Sequence, residues 1–318
     1  MGDLIVGLFS SMIALSVPLL IAAEGEVFVE RSGQFNMGIE GIMVVGAMSA
    51  FATTLASGSV ALGFLAGAIA GALSALFIFV LIQRLHIGGV LVAIVFNLIS
   101  AGVTGFLSAL FINSNSVPMQ SAKVQSVSIP FLSDLPVVGK VLLSQNILVY
   151  LAFAFVLVIH RMLFHSKFGL RLRAVGGNAQ AAQSMGIDVY KIKRSAFAIG
   201  GLTGGLAGAY MSLTLGMFVE NMTANKGFIA LALCTFSRAN PIGTFFGAML
   251  FALADSLQIR LQIFKLDIPY EFFLMLPYVM TILVLVITAK RREQTPKIRL
   301  ARAGNGNNWR RIKHESSK

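Results

Sequence analysis

Long runs without any charged residue dominate the chain. Five segments contain no Asp, Glu, Lys or Arg, namely 4–23, 41–83, 87–122, 141–159 and 195–219. A helix needs about 20 mainly apolar residues to cross the hydrocarbon core of a bilayer. The run 41–83 is long enough for two crossings, and Ser57-Gly58-Ser59 is the natural turn between them. Several such runs in series predict an all-α, polytopic bundle of transmembrane helices.

The pattern predicts about nine spans, within a range of eight to ten, at 4–23, 38–56, 60–82, 88–112, 146–164, 195–217, 227–237, 241–260 and 271–289. The seventh is too short to cross alone as a straight helix. If 165–194 and the C-terminal tail lie on one side, an even number of crossings separates them. Spans six, eight and nine make only three crossings. The segment 227–237 must therefore supply the fourth, while other helices shield it from lipid. The same count places the N-terminus outside, although residues 24–40 are also compatible with a re-entrant piece.

Composition and charge support this picture. The chain is 56% hydrophobic and only 12% charged, yet its net charge is +12. Seven basic residues lie in 161–194 against one acid, and ten lie in 290–318 against two acids. Lys and Arg concentrated outside the spans mark the cytoplasmic side. Since no aromatic-basic module accompanies the charge, we expect no nucleic-acid partner.

Small residues four apart recur in the spans and predict close helix packing: Gly63, Gly67 and Gly71; Gly200, Gly204 and Gly208; Gly243 and Gly247. A weaker internal similarity links two segments of the chain. The sequence NMGI at 36–39 precedes one span, NKGF at 225–228 precedes another, and each is followed by a span that opens with G-x-x-x-G-A. The predicted topology gives the two copies opposite directions. This suggests an inverted repeat with interrupted helices, as in many transporters.

The cytoplasmic segment 168–194 has its own local pattern. Asn178 is a suitable N-cap for a short helix over 179–185, and Gly186 is a suitable stop. Asp188 can cap the helix that becomes the next span. A short capped helix with few bulky side chains suits docking into a groove of a partner protein. The candidate docking residues are Asn178, Ala181, Ala182, Met185, Gly186 and Ile187.

Three segments together resemble one known family. They are ERSGQFNMGIEGIMVVGA (30–47), GLRLRAVGGNAQAAQSMGI (169–187) and NKGFIALALCTFSRANPIGTFFGAMLFALADSL (225–257). They are similar to the binding-protein-dependent ABC importer permeases of branched-chain amino acids, ribose and nucleosides, and closest to the purine nucleoside branch. In this family the segment around Ala181-Ala182-x-x-x-Gly186 corresponds to the coupling helix that docks onto the ATPase.

The resemblance implies a division of labour. An extracytoplasmic binding protein would deliver the substrate, this chain and a second permease, the same or homologous, would form the pathway, and separate ATPase subunits would drive it. The chain has no G-x-x-x-x-G-K-[ST] loop, so ATP would be used by the partner, with no cofactor and no enzyme activity in this chain. It implies a multi-pass protein of the bacterial cytoplasmic (inner) membrane, with a permease domain over 1–289 that includes the loop 165–194. The basic tail 290–318 is expected to be disordered, with membrane lipid as a further partner.

Polar residues inside spans are costly and are therefore candidates for the substrate pathway. The candidates are Asn36, Glu40, Asn97, Asp255 and Gln258. Their carboxylate and amide groups suit the hydroxyls of a ribose and the edges of a base. The structural alternative is that Asp255 and Glu40 pair with Lys or Arg, or hold two helices together.

Other classes of function remain open at this stage. Ribose-type sugars or branched-chain amino acids are alternative substrates of the same kind of permease. An ion-coupled secondary transporter would also use broken helices but has no need for a docking helix. A membrane-embedded enzyme would need a catalytic constellation. None of the four histidines falls mid-span, so we assign no catalytic residue, and with Cys234 as the single cysteine we expect no metal site.

Overall fold

The computed structural model describes residues 2–110, 120–124 and 145–263, together with Met275 and Val279. The chain divides into two compact units, 1–260 and 261–318, and the description below concerns the first. All regular elements in the described part of the chain are helices. Their bounds are α1 Gly2–Arg31, α2 Ile39–Ser57, α3 Val60–Gln83, α4 Gly89–Leu110, α5 Ile147–His165, α6 Lys167–Gly177, α7 Ala179–Ser184, α8 Val189–Leu215, α9 Lys226–Phe236 and α10 Pro241–Ile263.

Seven of these helices are long and apolar enough to cross a membrane, which confirms the predicted all-α membrane fold. They are α1 to α5, α8 and α10, and the short apolar helix α9 corresponds to the predicted seventh span. The predicted ninth span, 271–289, and the predicted tail, 290–318, lie outside the described residues apart from Met275 and Val279.

Two helices extend well beyond the predicted spans. The first span was expected to end at Ala23, but α1 continues to Arg31, and Glu24 and Glu26 are fully buried within it. Residues 24–31 therefore form no re-entrant piece. At the other end, α8 begins at Val189 rather than 195, because the Asp188 carboxylate accepts a hydrogen bond from the Lys191 backbone N–H at 3.0 Å and caps the helix.

Glycines bring α2, α3 and α8 into backbone contact at the centre of the bundle. A Cβ added to Gly46 of α2 would lie 2.5 Å from Gly205 Cα of α8. A Cβ added to Gly71 of α3 would lie 2.6 Å from the same atom. Gly201 and Gly208 meet neighbouring backbone as closely. This is the close packing that the small-residue pattern predicts, because helix backbones in lipid associate through van der Waals contact.

Several connections gather at one end of the bundle. The Arg31 side chain, at the end of α1, donates a hydrogen bond from Nε to the carbonyl oxygen of Ala239, in the α9–α10 connection, at 2.8 Å. A Cβ added to Gly33 would lie 3.3 Å from Gly176 Cα in α6. Since α6 belongs to the strongly basic segment 161–194, we assign this end to the cytoplasm.

Two helices begin near the middle of the bundle rather than at its ends. The first residue of α2, Ile39, lies beside Gly204, where an added Cβ would be 2.6 Å from Ile39 Cδ1. Gly204 lies about 22 Å along α8, which is about 40 Å long, at 1.5 Å per residue. Helix α9 also begins there, because a Cβ on Gly227 would lie 2.7 Å from Glu40 Cα. The two helices then run in opposite directions, α9 towards the cytoplasmic end.

Candidate functional site

The start of α9 is held by a carboxylate from α2. Glu40 is buried and accepts hydrogen bonds from the backbone N–H of Asn225 at 3.0 Å and of Gly227 at 2.7 Å. The hydroxyl of Thr223 donates a third hydrogen bond to the same carboxylate. The first N–H groups of a helix have no intrahelical acceptor, so an anionic oxygen here satisfies them and meets the positive end of the helix dipole. Glu40 therefore joins the two interrupted helices.

The start of α2 is capped from α4 in a comparable way. Asn97 accepts a hydrogen bond from the backbone N–H of Gly41 at 2.9 Å and donates one to the carbonyl oxygen of Met37 at 3.1 Å. Both contacts are to backbone atoms at the interruption. Asn97 as a whole is half-buried.

An ion pair joins α9 to α10 next to this junction. Lys226 Nζ lies 3.0 Å from Asp255 Oδ2, and the two side chains retain only 17% and 14% of their exposure. This is the pairing with a lysine that the structural alternative allowed for Asp255. Gln258, one turn further along α10, is half-buried.

The polar groups continue into α1. Asn36 donates a hydrogen bond to Glu26 Oε1 at 3.0 Å and accepts one from the backbone N–H of Gly38 at 3.3 Å. Glu26 Oε2 and both carboxylate oxygens of Glu24 have no hydrogen-bond partner within the described residues. The five pathway candidates thus lie on four connected elements, and their role in transport stays a prediction.

The sequence analysis missed Lys226, Thr223 and Glu26 as members of this cluster. Lys226 lies inside the NKGF motif and was visible as the one charge at the start of an apolar helix. Glu26 carried no such signal, because two acids after an apolar run usually mark the end of a span. Cys234 is buried, and within the described residues no three His, Cys, Asp or Glu side chains come together as a metal ion would require. The expectation of no metal site stays a prediction.

The cytoplasmic end carries the second candidate site, the short helix α7. The Asn178 side chain accepts a hydrogen bond from the Ala181 backbone N–H at 3.0 Å, which is the predicted N-cap. Gly186 has φ +79°, the left-handed conformation that a helix stop requires, and Met185 is the C-cap. The predicted helix over 179–185 therefore ends one residue earlier, at Ser184.

The exposed surface of α7 differs from the predicted docking face at one residue. Ala182 is only 5% exposed because it packs against the rest of the chain, whereas Met185 is 83% exposed. Ala181 and Gly186 are also exposed, and Ile187 is half-buried. An exposed methionine at the end of a rigid helix is an adaptable apolar contact.

The comparisons with known proteins identify the family. Residues 8–285 match the family described as branched-chain amino acid transport system / permease component, and the chain belongs to this family. It is a multi-pass permease subunit of an ABC transporter in the cytoplasmic membrane, as the resemblance predicted. Permeases of this family work with an ATPase and a substrate-binding protein.

Three relatives are similar over most of their length. The chain is 35% identical to the nucleoside ABC transporter permease protein NupC of Lactococcus lactis subsp. cremoris, covering 87% of this chain and 90% of NupC. It is 36% identical to the guanosine ABC transporter permease protein NupQ of Bacillus subtilis, covering 85% and 88%. TsgC13 of Haloferax volcanii, whose name refers to a glucose ABC transporter permease, is 35% identical, covering 80% and 78%.

Proposed function

We propose that this chain is the membrane-spanning permease subunit of an ATP-driven importer of nucleosides. The observation that carries the proposal is the similarity to NupC and NupQ, at 35% and 36% identity over more than four fifths of the chain. Ribose-type sugars and branched-chain amino acids are the alternative substrates. TsgC13 supports the sugar alternative, and the description of the family supports the amino acids.

In this proposal the chain forms the pathway and performs no chemistry of its own. ATP binds to separate ATPase subunits, because the sequence contains no phosphate-binding G-x-x-x-x-G-K-[ST] loop. The chain itself binds no cofactor. A second permease, the same or homologous, completes the pathway. The exposed apolar residues of α3 and α4, among them Leu65, Ile69, Leu73, Leu98 and Phe106, are covered by that subunit and by lipid.

The short helix α7 transmits movement between the ATPase and the pathway. It is followed directly by α8, which packs against α1, α2 and α3 at the centre of the bundle. Caps at both of its ends, from Asn178 and Gly186, make it a rigid unit. A push on a rigid cytoplasmic helix that continues into a central span shifts the balance between outward-open and inward-open states.

Uptake measurements test the substrate class. Cells that express the whole transporter should accumulate labelled guanosine, and an excess of unlabelled nucleoside should abolish this uptake. Equal excesses of ribose, glucose and leucine should leave it unchanged. Accumulation of a sugar or of leucine, without any uptake of nucleoside, would replace the proposed substrate by that alternative.

A pull-down tests the docking role of α7. Met185→Glu places a charge at the C-cap of α7, which is 83% exposed, and should reduce the co-purifying ATPase by about tenfold, the equivalent of 1.4 kcal/mol of binding energy. Leu85→Glu is the matched control, because Leu85 is a large apolar side chain, 61% exposed, in the α3–α4 connection. This connection lies at the same end, since Gln83 at the end of α3 donates a hydrogen bond to Gln34, next to Gly33. Equal losses in both variants, or none in Met185→Glu, would contradict the docking role.

A further inference from the structure

The interruption before α2 contains two exposed residues whose backbone N–H groups are not hydrogen-bonded within the described part of the chain. Phe35 and Met37 are 54% and 36% exposed. In the part of the chain that the structure describes, their backbone N–H groups donate to no acceptor. These residues lead into Ile39, which lies near the middle of α8. An unsatisfied N–H in lipid costs several kcal/mol, so irregular backbone at this depth borders protein or a water-filled cavity.

Contacts join this interruption to the one before α9. Asn97 binds the Met37 carbonyl oxygen, and Glu40 binds the Asn225 and Gly227 backbone N–H groups. Asn225 is exposed, and Phe228, next to Gly227, is 43% exposed. We call Phe35, Met37, Asn97, Asn225 and Phe228 the break surface. Its α9 part lies at mid-depth beside Glu40, whereas Phe35 lies two residues from Gly33, which approaches α6 at the cytoplasmic end.

The break surface combines apolar and aromatic side chains with hydrogen-bonding groups. It combines two exposed aromatic rings and a thioether with two side-chain amides and free backbone N–H donors. Flat heteroaromatic rings stack on such aromatic side chains, while amides and N–H groups bind the polar edges of a base. A free sugar or an aliphatic amino acid has no flat aromatic ring for this kind of stacking.

We propose that the break surface contacts the base of the nucleoside as it moves from the middle of the membrane towards the cytoplasmic end. This inference rests on the proposed function, because it requires a substrate with an aromatic base. Glu40 holds the start of α9 against α2, and the Lys226–Asp255 pair joins α9 to α10. The base therefore contacts Phe35 and Phe228, and the buried carboxylates position these residues.

Single cysteines test whether the break surface is wet. The chain has one native cysteine, Cys234, which is buried and gives a low background. Phe35→Cys and Phe228→Cys should each react with a water-soluble thiol reagent in permeabilised cells. The matched control is Phe77→Cys, because Phe77 is 57% exposed and belongs to the apolar outer face of α3. The two break-surface cysteines should react about tenfold faster than the control, because the thiolate is the reactive form and needs water.

Protection by substrate then tests contact with the base. Saturating guanosine should slow the labelling of Phe35→Cys and Phe228→Cys by about threefold or more, since a bound ligand competes with the reagent. The same concentration of ribose should not slow it. Labelling that guanosine leaves unchanged, or that ribose slows equally, would overturn the proposed contact. If the two cysteines are labelled no faster than Phe77→Cys, the break surface is not exposed to water, and the proposal fails at its first step.

Uptake of guanosine by the wild-type transporter separates the two proposals. If the wild type imports guanosine and protection is absent, the base contact alone fails. If the wild type imports no nucleoside, the proposed function fails together with the inference that rests on it. Phe35→Leu and Phe228→Leu should lower the guanosine uptake rate severalfold, while Phe77→Leu should leave it unchanged.

Discussion

At the scale of single residues, Glu40 illustrates how a buried carboxylate is satisfied by hydrogen bonds, with no salt bridge among the described residues. Its carboxylate receives two backbone N–H groups and one hydroxyl, all from the segment 223–227 that opens α9. Charge-assisted hydrogen bonds of this kind are stronger than neutral ones. The helix N-terminus adds a favourable partial charge. Glu40 is thus a structural residue first, and it positions the break surface through α9.

Removal of this carboxylate should weaken the fold. Glu40→Ala leaves buried donors without an acceptor, at about 1–3 kcal/mol for each, and we expect a total loss of about 3 kcal/mol in the free energy of unfolding. Glu40→Gln keeps one acceptor oxygen and should lose about half as much. Unfolding in mixed detergent measures this loss. Glu220→Ala is the control, since Glu220 is exposed and should change stability by less than about 0.5 kcal/mol. Equal stability of the Glu40 and Glu220 variants would refute the stabilising role of Glu40 at the start of α9.

The Lys226–Asp255 pair admits a test that separates structure from transport. Asp255→Leu leaves Lys226 as an uncompensated, largely buried charge and should cost about 2–3 kcal/mol, at the low end for buried pairs because both side chains are partly exposed. The double variant Lys226→Met/Asp255→Leu should recover most of that stability. If uptake recovers along with stability, the pair is structural. If stability recovers and uptake does not, one of the two residues acts on the substrate.

At the scale of helices, glycine contacts decide how closely α2, α3 and α8 approach. Gly205→Ala would place a methyl group against the backbone of Gly67 and Gly71, so α3 and α8 must separate. Overpacking of this kind costs about 1–3 kcal/mol. Gly102→Ala on α4 is the matched control, because no heavy atom lies within 4 Å of its added Cβ. There the better helix propensity of Ala should raise stability by up to about 1 kcal/mol. A change of stability with the same sign in both variants would contradict the close packing of α3 against α8.

The Asp188 cap predicts how the start of α8 responds to pH. The hydrogen bond from the Lys191 backbone N–H, together with the Lys191 side chain, lowers the pKa of the Asp188 carboxyl below its ordinary value of 3.8. The cap is therefore complete above the ordinary pKa and is lost as the pH falls through the lowered one. Hydrogen exchange at the Lys191 amide should show decreasing protection in that acidic window. Asp188→Asn caps without titrating, so the decrease should disappear in that variant. If it persists, the pH dependence comes from another group.

The sequence predicted elements well and contacts poorly, for physical reasons. The caps of α7 and α8 depend on neighbours in the sequence, so Asn178 and Asp188 were correctly assigned. The end of α1 was misplaced, because the sequence does not show that Glu26 finds Asn36 inside the bundle. The partner of Asp255 could not be chosen among the basic residues, since Lys226 is 29 positions away. Ala182 was assigned to the exposed face of α7 because nothing local reveals its burial.

At the scale of the whole molecule, the orientation of the described helices follows from one assignment. The basic segment 161–194 fixes the cytoplasmic end, and the Arg31–Ala239 hydrogen bond brings the end of α1 and the α9–α10 connection to the same end. Helix α2 starts at mid-depth and runs towards the opposite end, so the α2–α3 turn at Gly58 lies outside. The same assignment puts the N-terminus of α1 outside, in agreement with the span count, and this orientation stays a prediction.

Two conservative cysteine variants test this orientation. Ser57→Cys, at the end of α2, and Ser184→Cys, at the end of α7, both replace exposed serines, and native Cys234 is buried. In intact spheroplasts a membrane-impermeant maleimide should label Ser57→Cys alone, and after lysis it should label both. The reverse pattern would place α7 outside, where no ATPase could reach it, and would exclude the docking role together with the orientation. Co-expressed ATPase should protect Ser184→Cys from labelling after lysis. Such protection would support both the orientation and the docking role, because only a helix that lies on the cytoplasmic side and contacts the ATPase becomes shielded in this way.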